Sequence, residues 1–188
     1  RHRWALFFYL SITLITFASV NGVTAGWLWD TANAVGYGAF ASMLYVCFAS
    51  PGQKSSLASH RVVSYLVLVL VLVHVALLLV FDPVSVEFIK PAAPSYMWMG
   101  IISLVLLFYL IISSLSHVKK GLHRDPASYR WCHRILAWLA IVGSLYHITV
   151  SGFYIAENWQ IVAITLISLF ALWPIAGLKN KPFSTMGF

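Results

Sequence analysis

Long apolar stretches separated by short polar segments dominate the chain. Six stretches are long enough to cross a hydrocarbon core of about 30 Å as helices, which takes about 20 residues each; they are 4–20, 31–49, 62–81, 95–116, 134–155 and 159–178. None of them contains Asp, Glu or Lys. Turn-forming pairs separate several stretches: Pro51-Gly52, Asp82-Pro83 and Asp125-Pro126. The pattern predicts an all-α integral membrane protein, a six-helix bundle forming one domain over residues 1–188.

The basic residues fall almost entirely on one side of this predicted bundle. Eleven of the twelve Lys and Arg residues lie at the two termini and in the second and fourth connections, and only Lys90 lies on the other side. An excess of Lys and Arg marks the cytosolic side of a membrane protein. We therefore expect a multi-pass protein of the plasma membrane, or bacterial inner membrane, with both termini cytosolic. This distribution explains the net charge of +7 without a nucleic-acid partner.

The composition excludes several classes of soluble protein. Only 9% of the residues are charged, whereas soluble domains carry about 25%. The two cysteines are too few for a disulfide framework or an iron–sulfur cluster. Residues 36–41 spell a G-x-G-x-x-A motif, but no strand precedes it and it lies inside an apolar stretch. We interpret that motif as chance and expect no nucleotide-binding domain.

Four histidines repeat one pattern in the third and fifth stretches. His60 and His74 are 14 residues apart, and so are His133 and His147. At about 100° and 1.5 Å per residue, each pair shares one helix face to within about 40° and spans about 21 Å. Two such helices, one span apart, run in the same direction. We therefore expect one histidine of each helix near the cytosolic face and one near the outer face.

This geometry predicts bis-histidine haem ligation at two levels, with two stacked haems between the third and fifth helices. His60 and His133 are the expected ligands of the inner haem iron, and His74 and His147 those of the outer haem iron. Small residues near the ligands leave room for a macrocycle: Ser64, Ala137, Gly143 and Ser144. The alternatives are a proton or metal pathway, since an intramembrane histidine can also relay protons or simply pack.

Arginines follow both inner histidines. Arg61 and Arg134 suit the propionates of a haem in bidentate fashion, or serve as ordinary positive-inside anchors. The remaining histidines, His2, His117 and His123, are expected to be solvated surface residues.

Other equivalent positions of the repeat are weaker candidates. Tyr65 and Trp138 lie five residues after the inner histidines. Five residues correspond to about 140° around a helix, so we expect both aromatic side chains to face away from the haems. Val67 and Ala140, seven residues after the same histidines, are expected to face the gap between the haems.

Six spans, cytosolic termini and the paired H-x13-H motif resemble the ferric reductase and NADPH oxidase transmembrane family over essentially the whole chain. The resemblance implies that the four histidines bind two haem b groups. It implies an oxidoreductase in which electrons pass from a cytosolic flavin and NAD(P)H reductase domain or protein, carrying FAD or FMN, to ferric iron or oxygen outside. No residue of this chain is then catalytic in the chemical sense, and its surroundings are membrane lipids.

Two other functions remain open at this point. A quinone-linked di-haem cytochrome b also places histidine pairs on two parallel helices, although its Pro-Glu-Trp-Tyr motif is absent here. A transporter without any cofactor is the alternative from another class.

Charge at the two faces suggests where partners bind. We expect the electron donor at the cytosolic basic residues Lys54, Lys119, Lys120, Arg124, Arg130, Lys179 and Lys181. The outer connections carry Asp30, Asp82, Glu87 and Glu157 against Lys90. Such an acidic surface favours a cationic or neutral acceptor.

Overall fold

The chain folds into α-helices joined by short connections. The computed structural model describes residues 2–17, 26–49, 54–115, 118 and 125–176. Its helices are α1 (His2–Phe17), α2 (Trp27–Phe48), α3 (Lys54–Phe81), α4 (Ser95–Ser114), α5 (Pro126–Ser151) and α6 (Asn158–Ala176), with a 3-10 helix, Pro83–Ile89, between α3 and α4. No strand occurs in these ranges. The all-helical prediction is confirmed, with one helix in each predicted stretch.

The two histidine-bearing helices are longer than predicted. Both α3 and α5 begin eight residues before the expected starts at 62 and 134. In α5 the reason is local: Asp125 caps the helix by accepting hydrogen bonds from two backbone N–H groups, and Pro126 occupies the first turn. Gly152, in the left-handed conformation at φ 69°, ends α5 at Ser151 rather than at 155. The predicted ends at 20, 116 and 178 lie outside the described residues.

Three of the described helical segments are long and apolar enough to cross a membrane: Leu57–Phe81, Ser95–Ser114 and Pro126–Ser151. The apolar segments Arg3–Phe17 and Asn158–Trp173 are shorter. Helix α2 is not among either group, and it carries nine buried residues. Because other helices surround α2, it has less need of the apolar side chains that lipid-facing helices require. The chain is a membrane protein, and the other three predicted spans remain a proposal.

Helix packing leaves the two histidine helices with separate neighbours. Helix α3 packs on α2, α5 packs on α4, and α2 also contacts α1 and α6. Across the described residues, α3 and α5 make almost no close backbone contact with each other. The buried core joins side chains of all six helices, with Phe8, Phe40 and Leu44 among its most buried members. The backbones of α3 and α5 are therefore not in close contact, and the side chains of His60 and His133 meet between them.

Polar contacts tie the α5–α6 connection to the first two helices. The Tyr37 hydroxyl donates to the Phe153 carbonyl at 2.5 Å, and the Tyr154 hydroxyl donates to the Asp30 carboxylate. The Gln160 side chain is fully buried and makes four hydrogen bonds, one of them to the carbonyl of Ile15 in α1. These contacts fix the end of the bundle at which α5 terminates.

Candidate haem site

The four candidate histidines lie inside long helices, two on α3 and two on α5. Fourteen residues of helix separate the members of each pair by about 21 Å. We call the end of the bundle with His60 and His133 the His60 level, and the end with His74 and His147 the His74 level. The structure brings His60 and His133 together across the two helices, and His147 lies near enough to His74 to influence it electrostatically.

At the His60 level the two imidazole rings face each other across the gap between α3 and α5. Their centroids are 6.3 Å apart and their planes are inclined by 52°. Two imidazoles bound on opposite sides of one metal ion place their centroids roughly 6 Å apart, because each metal–nitrogen bond is about 2 Å and each ring centre lies about 1 Å further. The spacing of His60 and His133 therefore fits one iron between them.

At the His74 level each imidazole is held by a backbone carbonyl of the neighbouring helix. Nδ1 of His74 donates to the Ala32 carbonyl of α2 at 2.7 Å, and Nδ1 of His147 donates to the Tyr96 carbonyl of α4 at 2.9 Å. A carbonyl oxygen only accepts, so Nδ1 carries the proton and the lone pair lies on Nε2. The two rings also interact electrostatically with each other. Both histidines thus present the nitrogen that an iron ligand needs.

Glycines one helical turn after these carbonyls lie against the same rings. A Cβ at Gly36 would lie 2.8 Å from Nδ1 of His74, and a Cβ at Gly100 would lie 2.9 Å from Nδ1 of His147. We call each pair of carbonyl and glycine an imidazole cradle: Ala32 with Gly36 on α2, and Tyr96 with Gly100 on α4. The same arrangement therefore occurs twice, once for each helix pair.

At the His60 level, the described contacts of the two imidazoles involve other groups. Nδ1 of His60 is buried and lies near the Val46 backbone, at a geometry that falls short of a hydrogen bond. Nδ1 of His133 lies 3.5 Å from the hydroxyl of Tyr129, one turn earlier on α5. The Tyr129 ring is 5.5 Å from the His133 ring and lies within the electrostatic influence of Arg61. The described contacts of His133 thus include a side-chain hydroxyl, whereas Nδ1 of His74 and of His147 bonds to a backbone carbonyl.

The arginines and the equivalent repeat positions lie as follows. Arg61 is exposed and Arg134 is half-buried, both beside the His60 level. Tyr65 and Trp138 are 47% and 36% exposed, which agrees with the prediction that they face away from the haems. Val67 and Ala140 are each 1% exposed and lie in the core.

One of the small residues expected beside the haems has another role. Gly143 is buried, and a Cβ there would collide with the Ser103 hydroxyl and approach Met99, both on α4. Its lack of a side chain thus permits the close packing of α5 on α4. The expectation that Gly143 widens the gap for a macrocycle is corrected, because its contacts lie on the α4 side.

Several residues of the expected donor surface lie outside the described residues: Lys119, Lys120, Arg124, Lys179 and Lys181, together with His117 and His123. Arg130, in the first turns of α5, is exposed. Within the described ranges, no group of three or more His, Cys, Asp or Glu side chains could hold a metal ion. The histidines come in pairs, which is the ligand number of a six-coordinate haem iron.

Comparison with known families agrees with this architecture. The model of the ferric reductase like transmembrane component matches residues 49–143, about half of the 188-residue chain. The chain belongs to this family, so the resemblance is confirmed. Membership in the family makes the chain a membrane component of an oxidoreductase. The match contains His60, His74 and His133, and ends four residues before His147. No curated protein and no solved structure matched the chain.

Sequence reasoning missed the two cradles. It treated the motif that begins at Gly36 as chance, and it did not single out Gly100 or the carbonyls of Ala32 and Tyr96. A signal was present: each histidine span is preceded by an apolar span that contains glycine, Gly36 and Gly38 in one and Gly100 in the other, and a glycine inside a helix can have a packing reason. Recognising its partner requires knowing which helices pack together.

Proposed function

We propose that this chain carries electrons across a membrane by holding two b haems, one at each histidine level. His60 and His133 are the proposed ligands of one iron, and His74 and His147 those of the other. Each haem, when bound, accepts and passes on a single electron. The protein supplies the ligands, their orientation and a dry environment.

Two observations carry the proposal: the tautomer of the two histidines at the His74 level and the separation of the two rings at the His60 level. At the His74 level, backbone carbonyls fix the tautomer that leaves Nε2 available. At the His60 level, the centroid separation of 6.3 Å fits two ligands on opposite sides of one iron. If these histidines only packed or relayed protons, their rings would not need this separation. In that case α3 and α5 could also pack directly against each other.

Arg61 and Arg134 are proposed to bind haem propionates at the His60 level. Both follow a histidine of that level, and a guanidinium binds carboxylates through two parallel hydrogen bonds. Arg134 is half-buried, which limits its access to water and favours a partner inside the bundle. Arg61 is exposed and carries the weaker case.

We further propose that all six helices span the membrane, with both termini and the His60 level on the cytosolic side. The distribution of Lys and Arg supports this orientation. The proposed donor is a flavin and NAD(P)H reductase module on the cytosolic side, with FAD or FMN, and the proposed acceptor on the outer side is ferric iron or oxygen. Outward electron movement is also favoured by a membrane potential that is negative inside, by about 2.3 kcal/mol per 100 mV.

Haem content measured level by level tests the proposal. The purified protein is expected to give a reduced-minus-oxidised b-haem spectrum and two haems per chain in a pyridine haemochrome assay. His74→Ala is expected to remove one haem and His60→Ala the other, so that each variant retains the spectrum that the other loses. His117→Ala, a predicted surface histidine, is the matched control and should keep both.

Two results of these measurements would contradict the proposal. One haem per wild-type chain would contradict the two-level arrangement. The absence of any b-haem spectrum would contradict haem binding and leave the transporter alternative in its place.

A further inference from the structure

Two glycines on different helices lie against the two histidines of the His74 level and nowhere near the His60 level. We propose that Gly36 and Gly100 are positioning residues that set the orientation and electron donation of the axial ligands of one haem only, the one at the His74 level. This inference rests on the proposed haem function and names two residues that determine the properties of that haem.

The contact of each glycine is with the Nδ1 edge of the ring. A Cβ at Gly36 would lie 2.8 Å from Nδ1, 2.9 Å from Cε1 and 3.2 Å from Cγ of His74. At Gly100 the corresponding distances to His147 are 2.9, 3.1 and 3.1 Å. These separations are too short for carbon, so a methyl group at either position would push the imidazole away from the helix.

The spacing of carbonyl and glycine explains why glycine is needed at these positions. In an α-helix the carbonyl of residue i accepts a hydrogen bond from the N–H of residue i+4. Ala32 and Gly36 have this spacing, and so do Tyr96 and Gly100. The imidazole bonds to the second lone pair of the same carbonyl, so it must approach beside residue i+4. Only a residue without a side chain leaves that approach open.

The other described glycines show that this contact is specific. Gly38 lies on the same helix as Gly36, two residues further, and has no atom within 4 Å of an added Cβ. Gly143 is close to α4 and to no histidine. Of the described glycines within helices, Gly36 and Gly100 lie against a histidine ring, and both rings belong to the His74 level.

Loosening the cradle should change the redox properties of that haem. A hydrogen bond from Nδ1–H to a carbonyl raises the basicity of the imidazole as a ligand. A more basic ligand stabilises the oxidised iron and lowers the midpoint potential. A Cβ that displaces the ring lengthens this hydrogen bond and rotates the ligand plane. The midpoint potential should then rise, and the anisotropy of the oxidised low-spin signal should change.

The test compares Gly36→Ala and Gly100→Ala with the control Gly38→Ala in the full chain. Redox titration and low-temperature electron paramagnetic resonance measure each haem separately, with His74→Ala and His60→Ala used to assign the signals. Both cradle variants are expected to raise the midpoint potential of the His74-level haem and shift its signal, or to lose that haem. The His60-level haem should keep its potential and amplitude, and Gly38→Ala should match the wild type.

The outcomes separate this inference from the proposed function. Alanine favours a helix interior over glycine, so helix stability gives no reason for either variant to misfold. If one variant is not produced, the other tests the same haem from the opposite helix pair. Two haems in the wild type with unchanged signals in both cradle variants would overturn this inference alone. Equal effects of Gly38→Ala, or effects on both haems, would overturn it as well.

Discussion

Among the individual residues, the four histidines differ most in how their second ring nitrogen is satisfied. Helix backbone holds both rings at the His74 level, through the carbonyls of Ala32 and Tyr96. At the His60 level, the Tyr129 hydroxyl lies at the edge of hydrogen-bonding distance from Nδ1 of His133. Backbone acceptors do not rotate, whereas a hydroxyl does. We therefore expect the haem at the His60 level to respond to substitution of the Tyr129 side chain.

Replacing Tyr129 tests this expectation. Tyr129→Phe removes the hydroxyl 3.5 Å from Nδ1 of His133 and keeps the ring 5.5 Å from the imidazole. Losing this acceptor should make His133 a slightly weaker donor, so the midpoint potential of the His60-level haem should rise while the other haem stays unchanged. Redox titration measures both. Tyr65→Phe is the control because Tyr65 lies on the outer surface of α3; an equal shift in that variant would show that the effect is not local.

Helices as elements were largely predictable from the sequence, and α4 begins at the predicted residue, but the starts of α3 and α5 were predicted eight residues too late. Apolar length identified the six α-helices α1 to α6, because a membrane-crossing helix must be apolar over most of its course. The start of α5 depends on Asp125, whose carboxylate accepts from the N–H groups of Ala127 and Ser128 at 2.7 and 2.8 Å. The prediction used Asp125-Pro126 only as a breaker before the fifth span, although the same pair also signals the first turn of a helix.

The contacts between helices at the site could not be predicted from the sequence. The spacing of His60 and His74 on one helix follows from helical periodicity, and so does the equivalent spacing on α5. The cradles depend on α2 packing against α3 and α4 against α5, which no periodicity within one segment reveals. Gly36 and Gly143 both lie within apolar stretches of the sequence, so the sequence does not distinguish them. In the structure Gly36 faces His74 and Gly143 faces Ser103.

The junction of α1, α5 and α6 gives a prediction at the scale of elements. Gln160 donates to the carbonyls of Ile15 and Tyr154 at 2.6 and 3.0 Å and accepts two backbone N–H bonds at 3.0 Å each. Gln160→Leu would leave the buried Ile15 carbonyl and the part-buried groups without this partner, at roughly 1–3 kcal/mol for a buried group that finds no replacement. We expect a clear fall in thermal stability, measured by loss of the haem spectrum on heating.

Thr165→Val is the matched control for that substitution. The Thr165 hydroxyl bonds only to the Ile161 carbonyl within its own helix, at 2.7 Å. That carbonyl keeps its helical partner when the hydroxyl is removed, so stability should change little. Similar losses in both variants would show that polarity in α6, rather than the junction, determines the effect.

Across the whole molecule, many large apolar side chains lie on the outer surface, where a membrane protein contacts lipid. Few residues of the Leu57–Phe81 segment are buried within the chain, and its surface presents large apolar side chains such as Val62, Leu66 and Val69. Helix α2, by contrast, carries a buried asparagine and lies at the centre of the packing. Exposed apolar surface of this extent needs lipid or another protein to cover it. His74 lies between α3 and the central helix α2, and His147 lies between α5 and α4.

Accessibility of single cysteines tests the proposed orientation. In a background of Cys47→Ala and Cys132→Ala, Lys90→Cys reports the connection between α3 and α4, and Arg130→Cys reports the start of α5; both positions are exposed. In right-side-out vesicles a membrane-impermeant thiol reagent should label the cysteine at 90 and spare the one at 130. A permeant reagent should label both. Labelling at 130 from outside would contradict cytosolic placement of the His60 level.

The acidic outer connections lead to the last prediction, which concerns the electron acceptor. Four acidic residues against one lysine give the proposed outer surface a formal charge of −3. The structure shows that Lys90 is paired with Glu87 at 2.6 Å, that Asp82 accepts a hydrogen bond from Ser85 at 2.9 Å, and that Glu157 is exposed. The one basic side chain is thus already neutralised, so the field at this surface should attract cations and repel anions. Its range is a Debye length of about 8 Å at physiological salt.

Reoxidation kinetics check this prediction directly. After reduction of the protein, a cationic metal complex should reoxidise the haems faster than an anionic ferric complex of similar potential, by roughly tenfold or more at low ionic strength. The difference should shrink as salt is added, and Glu157→Gln should reduce it further, with Gln160 left intact so that the junction is preserved. Faster reoxidation by the anionic complex at low salt would contradict the electrostatic argument. Reoxidation by a quinone analogue alone would favour the quinone-linked cytochrome b, because neither metal complexes nor oxygen would then be acceptors.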